Sequence, residues 1–216
     1  MNSSPDEQHG PDDGHGPDDE HGPDGYGGLP VGAFLDALAS RTPAPAGGSA
    51  AALVLAQAAA LCEKSARLSA RQLTAGRAAQ LTDEAEHIRS RAASLIDEDP
   101  RAYAAVLEAL RRRAEQPKDP ADAADAAAGL AAALSAAADV PLQIVELAVP
   151  VSAVAATLAA DGNQALQGDA LAAGLLAQAA ARAAACLVRI NLAAAPGDPR
   201  HARADALLAS IDEHLK

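Results

Sequence analysis

The sequence predicts an all-α fold, an alanine-rich antiparallel bundle of five to six long helices that associates as a dimer. Three observations predict it. Alanine dominates the 216 residues while Val, Ile and aromatic residues are scarce, and this composition favours helices over strands. Apolar residues recur at helical spacing between breaks rich in Pro and Gly. Alanine buries little area per residue, so a second subunit would stabilise so thin a core.

The predicted helices follow one another along the chain from Pro30. Asp119 reads as an N-cap followed by Pro120 at the first helical position, and Pro141 is expected to kink the same helix near Val140. The ranges predicted to be helical are 31–39, 49–71, 78–96, 100–113, 120–160, 165–194 and 199–215.

The first 28 residues differ from the rest of the chain. Residues 9–24 repeat a six-residue unit of His, Gly, Pro and acidic residues, and residues 1–28 contain eight acids and no Lys or Arg. Such a segment cannot bury enough apolar surface to fold. We therefore interpret residues 1–28 as a disordered acidic tail and residues 29–216 as one helical domain. The histidines and aspartates of the tail can capture Ni, Zn or Cu ions weakly, but no spacing among them fixes a closed coordination site, so no metal centre is predicted.

Composition and charge exclude several classes of function. The tail carries −8 of the formal net charge of −12, and aromatic residues make up 1% of the chain, so neither a basic patch nor a stacking platform for nucleic acid is expected. The longest uncharged run, residues 43–62, contains too much Ala, Gly and Pro for a good membrane span. The chain starts with polar and acidic residues, unlike a signal peptide, and its two cysteines lie in apolar helical patterns, so a cytoplasmic location is expected.

Polar residues at helix starts and on apolar faces are the candidate functional groups. The loop that ends in Gly47, Gly48 and Ser49 allows a ligand to approach the backbone, and the helix start offers free N–H groups. A plain helix entry capped by Ser49 is an equal alternative.

Asp99 is the second candidate. The apolar stripe of its helix places it on the inward face, where a carboxylate is costly unless it is paired or has a function. An Asp directly before Pro100 is equally typical of an N-cap. The neighbouring Asp97 and Glu98 are expected to be solvated.

Three further polar positions stand out. Asn163 and Asp169 lie at a turn and the following helix start, where both can face a pocket or serve turn chemistry and the helix dipole. Asn191 interrupts an apolar helix, which a buried hydrogen bond or a ligand would explain. Arg182 and Arg189 share a face of that helix and can meet a carboxylate, or belong to a solvated or dimer-interface stripe.

Six segments occur in the order seen in a known family: PAPAGGSAAAL (43–53), LIDEDPRAYAAVLEA (95–109), QPK (116–118), AADVPLQIVELA (137–148), GNQALQGDALAA (162–173) and LVRINL (187–192). From about residue 30 to 214 the chain resembles the cyclodeaminase/cyclohydrolase family, the C-terminal domain family of formiminotransferase-cyclodeaminase, which includes stand-alone methenyltetrahydrofolate cyclohydrolases. The resemblance implies an all-helical, folate-binding homodimer. Its reaction would be cyclisation of 5-formimidoyltetrahydrofolate with loss of ammonia, or reversible hydrolysis of 5,10-methenyltetrahydrofolate, with folate as substrate and no separate cofactor.

The resemblance also implies roles for individual residues. Asp99 matches the family's acidic position and would transfer the proton. Three groups of residues would bind the substrate. The glycine-rich loop, Gly47, Gly48 and Ser49, would lie against the pterin, and Asn163, Asp169 and Asn191 would bind its polar edge. Lys118 or one of the arginines would bind the glutamate tail of folate.

Two departures from the family pattern favour an alternative. Ala46 stands where the family's loop usually has a glycine, and residues 67–79 replace a segment that is commonly basic. The alternative function is a non-catalytic helical dimer of the same fold that binds another ligand or a protein partner.

Overall fold

The computed structural model describes residues 25–115 and 119–216, and over these ranges it contains helices and no strands. Two short 3₁₀ turns, Tyr26–Gly28 and Gln164–Leu166, precede the first and sixth α-helices. The α-helices are α1 (Val31–Ala39), α2 (Gly47–Arg67), α3 (Ala75–Ala114), α4 (Pro120–Ala137), α5 (Asp139–Asp161), α6 (Gln167–Asn191) and α7 (Pro199–His214). All but α1 are long, so the predicted all-α bundle is confirmed.

Helix α2 lies at the centre of the bundle and packs against α3, α5 and α6. It runs antiparallel to α3, because Ser49 near its start contacts Asp99 while Glu63 near its end pairs with Arg89, at 2.6 Å, in the earlier part of α3. The start of α2 therefore lies against the middle of α3.

The core between these helices consists mainly of small side chains. Helix α6 buries a row of alanines against its neighbours, and their size lets the helix backbones approach closely. The largest fully buried side chains are distributed among the helices and include Leu55, Leu81, Leu95, Ile144, Leu192 and Ile211. The core is thin in large residues, as the composition predicted.

Helix α3 is one continuous helix where the sequence predicted two, 78–96 and 100–113. Pro100 has no N–H, so the carbonyl of Ile96 loses its usual partner within the helix. Ser49 of α2 supplies a replacement, since its Oγ donates to the Ile96 carbonyl at 2.8 Å. The helix continues through the proline because a tertiary contact satisfies the freed carbonyl. Asp99 consequently lies inside the helix, and its alternative interpretation as an N-cap is wrong.

Other helix boundaries differ in smaller ways. The kink predicted near Val140 is a break at Ala138, which separates α4 from α5. Helix α2 begins at Gly47, so Ser49 lies in its first turn and its side chain does not cap it. The predicted cap of α4 is confirmed, because Asp119 accepts a hydrogen bond from the Ala121 N–H at 2.8 Å.

Residues 25–28, which the sequence assigned to the tail, lie against α3. The Tyr26 N–H donates to Asp97 Oδ1 at 2.6 Å. Asp97 is therefore engaged by the start of the described chain, and Glu98 pairs with Arg91 at 3.0 Å. The expectation that both acids are simply solvated was wrong.

Two helical stretches, Pro120–Asp161 and Gln164–Asn191, have the length and apolar composition of a membrane span. Their most apolar windows are 50% and 44% buried inside the fold. Core helices of soluble proteins pass the same test, so these stretches are weak grounds for membrane insertion.

Candidate active site

A cleft of about 250 Å³ opens where four helical segments meet. The segments are the start of α2, the part of α3 around Pro100, the start of α5 and the end of α6. Four residues singled out from the sequence line this cleft, namely Gly47, Gly48, Asp99 and Asn191. Ser49 contacts Asp99 from the same turn of α2. The structure thus brings together five of the predicted site residues. The volume is near the lower end of the range for ligand pockets.

Asp99 is the carboxylate that faces the cleft, and the lining residues within the described chain include no Lys or Arg. Its Oδ2 accepts a hydrogen bond from the Ser49 backbone N–H at 3.1 Å. Burial raises the pKa of Asp99 above its ordinary value, and hydrogen bonding by Ser49 opposes that rise. The site therefore holds a carboxyl group that exchanges its proton at a higher pH than an exposed aspartate does.

Gly48 is required for this contact. A Cβ added at Gly48 would lie 1.9 Å from Asp99 Oδ1, far inside van der Waals contact. Only glycine allows the first turn of α2 to lie directly beneath the carboxylate. The close approach of the Asp99 carboxylate from α3 therefore accounts for Gly48 in the loop motif, in addition to the access for a ligand that the sequence suggested.

Two polar side chains hold the backbone around the cleft. Ser49 is 0% exposed and donates its hydroxyl to the Ile96 carbonyl. Asn191 is half-buried, and its Nδ2 donates to the Ala137 carbonyl at 3.2 Å. The sequence proposed a buried hydrogen bond or a ligand for Asn191, and the structure provides the first while leaving the residue on the cleft wall.

The loop before α2 forms one rim of the cleft. The Tyr26 hydroxyl donates to the Ala44 carbonyl at 3.1 Å, which fastens the loop to the start of the described chain. Ala46 has φ −135°, an extended conformation that any residue adopts. The alanine at this position therefore causes no backbone strain in the loop.

Sequence reasoning missed several residues that line the cleft. Tyr103 and Leu187 were not singled out from the sequence, and Pro100 and Pro141 were interpreted only as a helix start and a kink. Ile190 also lines the cleft although it is 66% exposed. Ile190 is a large apolar residue next to the polar Asn191, which was the signal in the sequence. The sequence pattern does not show that Ile190 is exposed, so this signal was not recognised.

Asn163 and Asp169 lie at the opposite end of α2. The Asn163 side chain donates to the Leu68 carbonyl at 3.3 Å, and Asp169 pairs with Lys64 at 2.7 Å. The helical rise places Leu68 about 30 Å from Gly48 along α2. Within one chain, the structure does not bring Asn163 and Asp169 to the cleft.

The predicted cations are also placed elsewhere or not described. Lys118 lies outside the described residues. Arg182 pairs with Asp212 at 2.8 Å, and Arg189 pairs with Asp205. These two arginines tie α6 to α7. The expectation that they can meet a carboxylate is confirmed, but the carboxylates belong to this protein and not to a ligand.

A larger cavity of about 540 Å³ lies between α3 and α4. Its lining consists of four alanines, Gly129 and four charged residues, namely Glu108, Arg112, Asp122 and Asp125. Arg112 and Arg111 hold the pKa of Glu108 below its usual value, as expected of a surface ion pair. This cavity gathers none of the residues that the sequence singled out, so the smaller cleft is the better candidate for a site.

Comparison with known proteins decides the family. A family model described as formiminotransferase-cyclodeaminase matches residues 30–205. The chain belongs to this family. Among solved structures, the chain is similar to the formiminotetrahydrofolate cyclodeaminase from Thermotoga maritima, with 24% identity and a TM-score of 0.70 over 87% of this chain and 90% of that one. At this identity the likeness shows the shared fold. A search of curated protein sequences found no match.

In this member of the formiminotransferase-cyclodeaminase family, Gly48→Ala is expected to break the contact between Asp99 and the start of α2, because the atoms nearest to the added Cβ all belong to the Asp99 side chain. The added methyl group would displace Asp99, so stability should fall by about 1–3 kcal/mol in urea unfolding. Gly129→Ala is the matched control, because a Cβ there meets nothing within 4 Å and alanine in mid-helix should raise stability by up to about 1 kcal/mol. Equal responses of the two variants would contradict the close approach at Gly48.

Proposed function

We propose that the chain is a folate one-carbon enzyme that acts on the carbon joined to N5 and N10 of tetrahydrofolate. It would act as a formimidoyltetrahydrofolate cyclodeaminase or as a methenyltetrahydrofolate cyclohydrolase. The observation that carries the proposal is the desolvated carboxyl of Asp99, held by Ser49 at the wall of the cleft. Membership of the formiminotransferase-cyclodeaminase family supports the substrate class.

The cleft offers suitable groups for a pterin ring. Its volume suits a bicyclic heterocycle rather than a whole folate, so the glutamate tail would extend beyond the rim. Tyr103, Leu187 and Ile190 supply apolar walls. The first N–H groups of α2, at Gly47 and Gly48, point out of the helix start and can donate to a ring oxygen or nitrogen. Tetrahydrofolate is the substrate in this proposal, and no further cofactor is required.

Asp99 can serve both candidate reactions by moving one proton. In cyclisation, N10 attacks the carbon of the protonated formimidoyl group, and the carboxylate takes the proton that N10 releases. It passes this proton to the amino group of the tetrahedral intermediate, and the C–N bond to ammonia breaks. In hydrolysis, the carboxylate takes a proton from water as oxygen bonds to the methenyl carbon. The same proton then passes to N5 as the C–N5 bond breaks, and the hydroxyl group releases its proton to solvent, which leaves the formyl group on N10.

We also propose that two copies associate through α6, and that the protein acts in the cytoplasm. Leu171 and Leu175 lie one helical turn apart and are 53% and 61% exposed, and Ile190 continues the exposed face toward the end of α6. Large apolar side chains exposed along one helix are typical of an interface. The thin alanine core provides a reason for a second subunit, and free Cys62 and Cys186 are compatible with a reducing compartment.

Asp99→Asn is expected to lower conversion of 5,10-methenyltetrahydrofolate or 5-formimidoyltetrahydrofolate by about 10²- to 10⁴-fold. The near-ultraviolet band of the methenyl compound reports its loss in the first assay and its formation in the second. For the hydrolysis, the rate of the unaltered protein should fall as pH drops through the raised pKa of Asp99, at a pH above the 3.8 of an ordinary aspartate.

Asp169→Asn is the control for that experiment, because Asp169 is an acid paired with Lys64 far from the cleft. It should retain activity. If the unaltered protein converts neither substrate, the non-catalytic alternative is favoured. If it converts one and Asp99→Asn remains fully active, the role of Asp99 is refuted.

Leu175→Arg is expected to convert the dimer into monomers, because a charge in the middle of the α6 face would have to be buried between two copies. Sedimentation velocity measures the change. Leu110→Arg is the control, since Leu110 is 43% exposed but lies on α3. A monomeric unaltered protein, or a dimer that survives Leu175→Arg, would rule out association through this face.

A further inference from the structure

Two of the residues that line the cleft are prolines within helices. A proline in a helix cannot donate to the carbonyl four residues earlier. Pro100 in α3 therefore leaves the Ile96 carbonyl without its helical partner. Pro141, in the first turn of α5, likewise cannot donate to the Ala137 carbonyl, which lies at the end of α4. Both freed carbonyls lie next to the cleft, because Pro100 and Pro141 are part of its wall.

Each freed carbonyl is satisfied by a polar side chain from another helix. The Ser49 hydroxyl donates to Ile96 at 2.8 Å, and Asn191 Nδ2 donates to Ala137 at 3.2 Å. A carbonyl oxygen can only accept, so both side chains must present a donor there. Ser49 and Asn191 are two of the three uncharged polar side chains singled out from the sequence, the third being Asn163, and both are explained by prolines on neighbouring helices.

We propose that Pro100 and Pro141 set the hydrogen-bonding pattern of the cleft, with Ser49 and Asn191 as the positioning residues through which they act. The part that concerns the ligand rests on the proposed function.

Ser49 positions Asp99 through its backbone. Its hydroxyl proton is engaged by Ile96, which anchors the first turn of α2 against α3. The Ser49 N–H then meets Asp99 Oδ2 at 3.1 Å, while Oδ1 lies over Gly48. The pair of bonds fixes the carboxylate relative to the helix start. Without the proline, the Ile96 carbonyl would take its helical partner, and Ser49 would have no fixed acceptor.

Asn191 gives the opposite wall its polarity. An amide side chain has one end that donates and one that accepts, and in isolation either end can face a pocket. The Ala137 carbonyl requires the Nδ2 end, so Oδ1 is left to face the ligand. The cleft then presents two acceptors, Asn191 Oδ1 and the Asp99 carboxylate. This arrangement favours a ligand edge that carries N–H donors, such as the amino-pyrimidinone edge of a pterin.

Double-mutant cycles in urea test the proline pairing without any ligand. Ser49→Ala should reduce the folding equilibrium constant about tenfold, because it leaves a buried carbonyl unsatisfied. In a Pro100→Ala background the helix supplies an N–H to Ile96, and the same change should cost no more than about twofold. Asn191→Ala and Pro141→Ala should behave in the same way. If the Ser49→Ala variant does not fold, the variant that carries both Ser49→Ala and Pro100→Ala should still fold, and this rescue would support the pairing.

Ser152 and Pro150 provide a matched control cycle. Ser152 is a buried serine near a helical proline, but its hydroxyl bonds to Val149 at 2.7 Å, and Val149 is not the carbonyl that Pro150 frees. Ser152→Ala and Pro150→Ala should therefore be additive. An additive Ser49 and Pro100 cycle overturns the pairing.

Calorimetry with 5-formyltetrahydrofolate tests the polarity of the cleft. Pro141→Ala keeps Asn191 but removes the need for its Nδ2 to face Ala137, so the amide can rotate and binding should weaken about tenfold at unchanged stability. Unchanged affinity overturns the role assigned to Asn191. Absence of binding to the unaltered protein contradicts the proposed function instead, and the urea cycles then decide the proline pairing by themselves.

Discussion

The meeting of α2 and α3 at Gly48, Ser49 and Asp99 is the contact on which the rest of the site depends. It requires a glycine, because a side chain at residue 48 would occupy the place of the carboxylate. It also removes water from Asp99 and replaces that water with one backbone N–H. A carboxyl group in this setting is costly for folding but suited to proton transfer, since its pKa is raised toward the pH at which proteins work.

The alanine-rich composition makes such a contact feasible. Small side chains along the helices let the backbones approach, so the start of one helix can meet the middle of another. The same composition limits the apolar area that one chain buries, which is why the exposed leucines of α6 are interpreted as a subunit interface. Close packing at the site and the proposed dependence on a second copy thus share one cause.

Much of the fold followed from local rules in the sequence. The spacing of apolar residues located the helices, and the Asp119 cap with Pro120 marked the start of α4. The error at Pro100 has a physical reason, because whether a helix survives a proline depends on a donor from elsewhere in the fold, here Ser49. Local sequence contains no information on that donor.

Part of the candidate site could be predicted from the sequence, because a polar residue on an apolar helix face needs a hydrogen-bond partner or a ligand. This argument found Asp99 and Asn191, which line one cleft. The family resemblance placed Asn163, a turn residue, in the same site, although that residue lies against Leu68 at the other end of α2. Local sequence predicts which residues face inward, but it does not predict at which end of the bundle a residue lies. The role of the lining prolines at the cleft was missed, because they act on carbonyls four residues away.

A crystal structure of the protein with bound 5-formyltetrahydrofolate tests the central claim most directly. The account predicts the pteridine ring in the cleft, with the substituent at N5 beside Asp99 and the amino-pyrimidinone edge toward Asn191. A ring bound near Asn163 and Leu68, or one that leaves Asp99 without a contact, would contradict it.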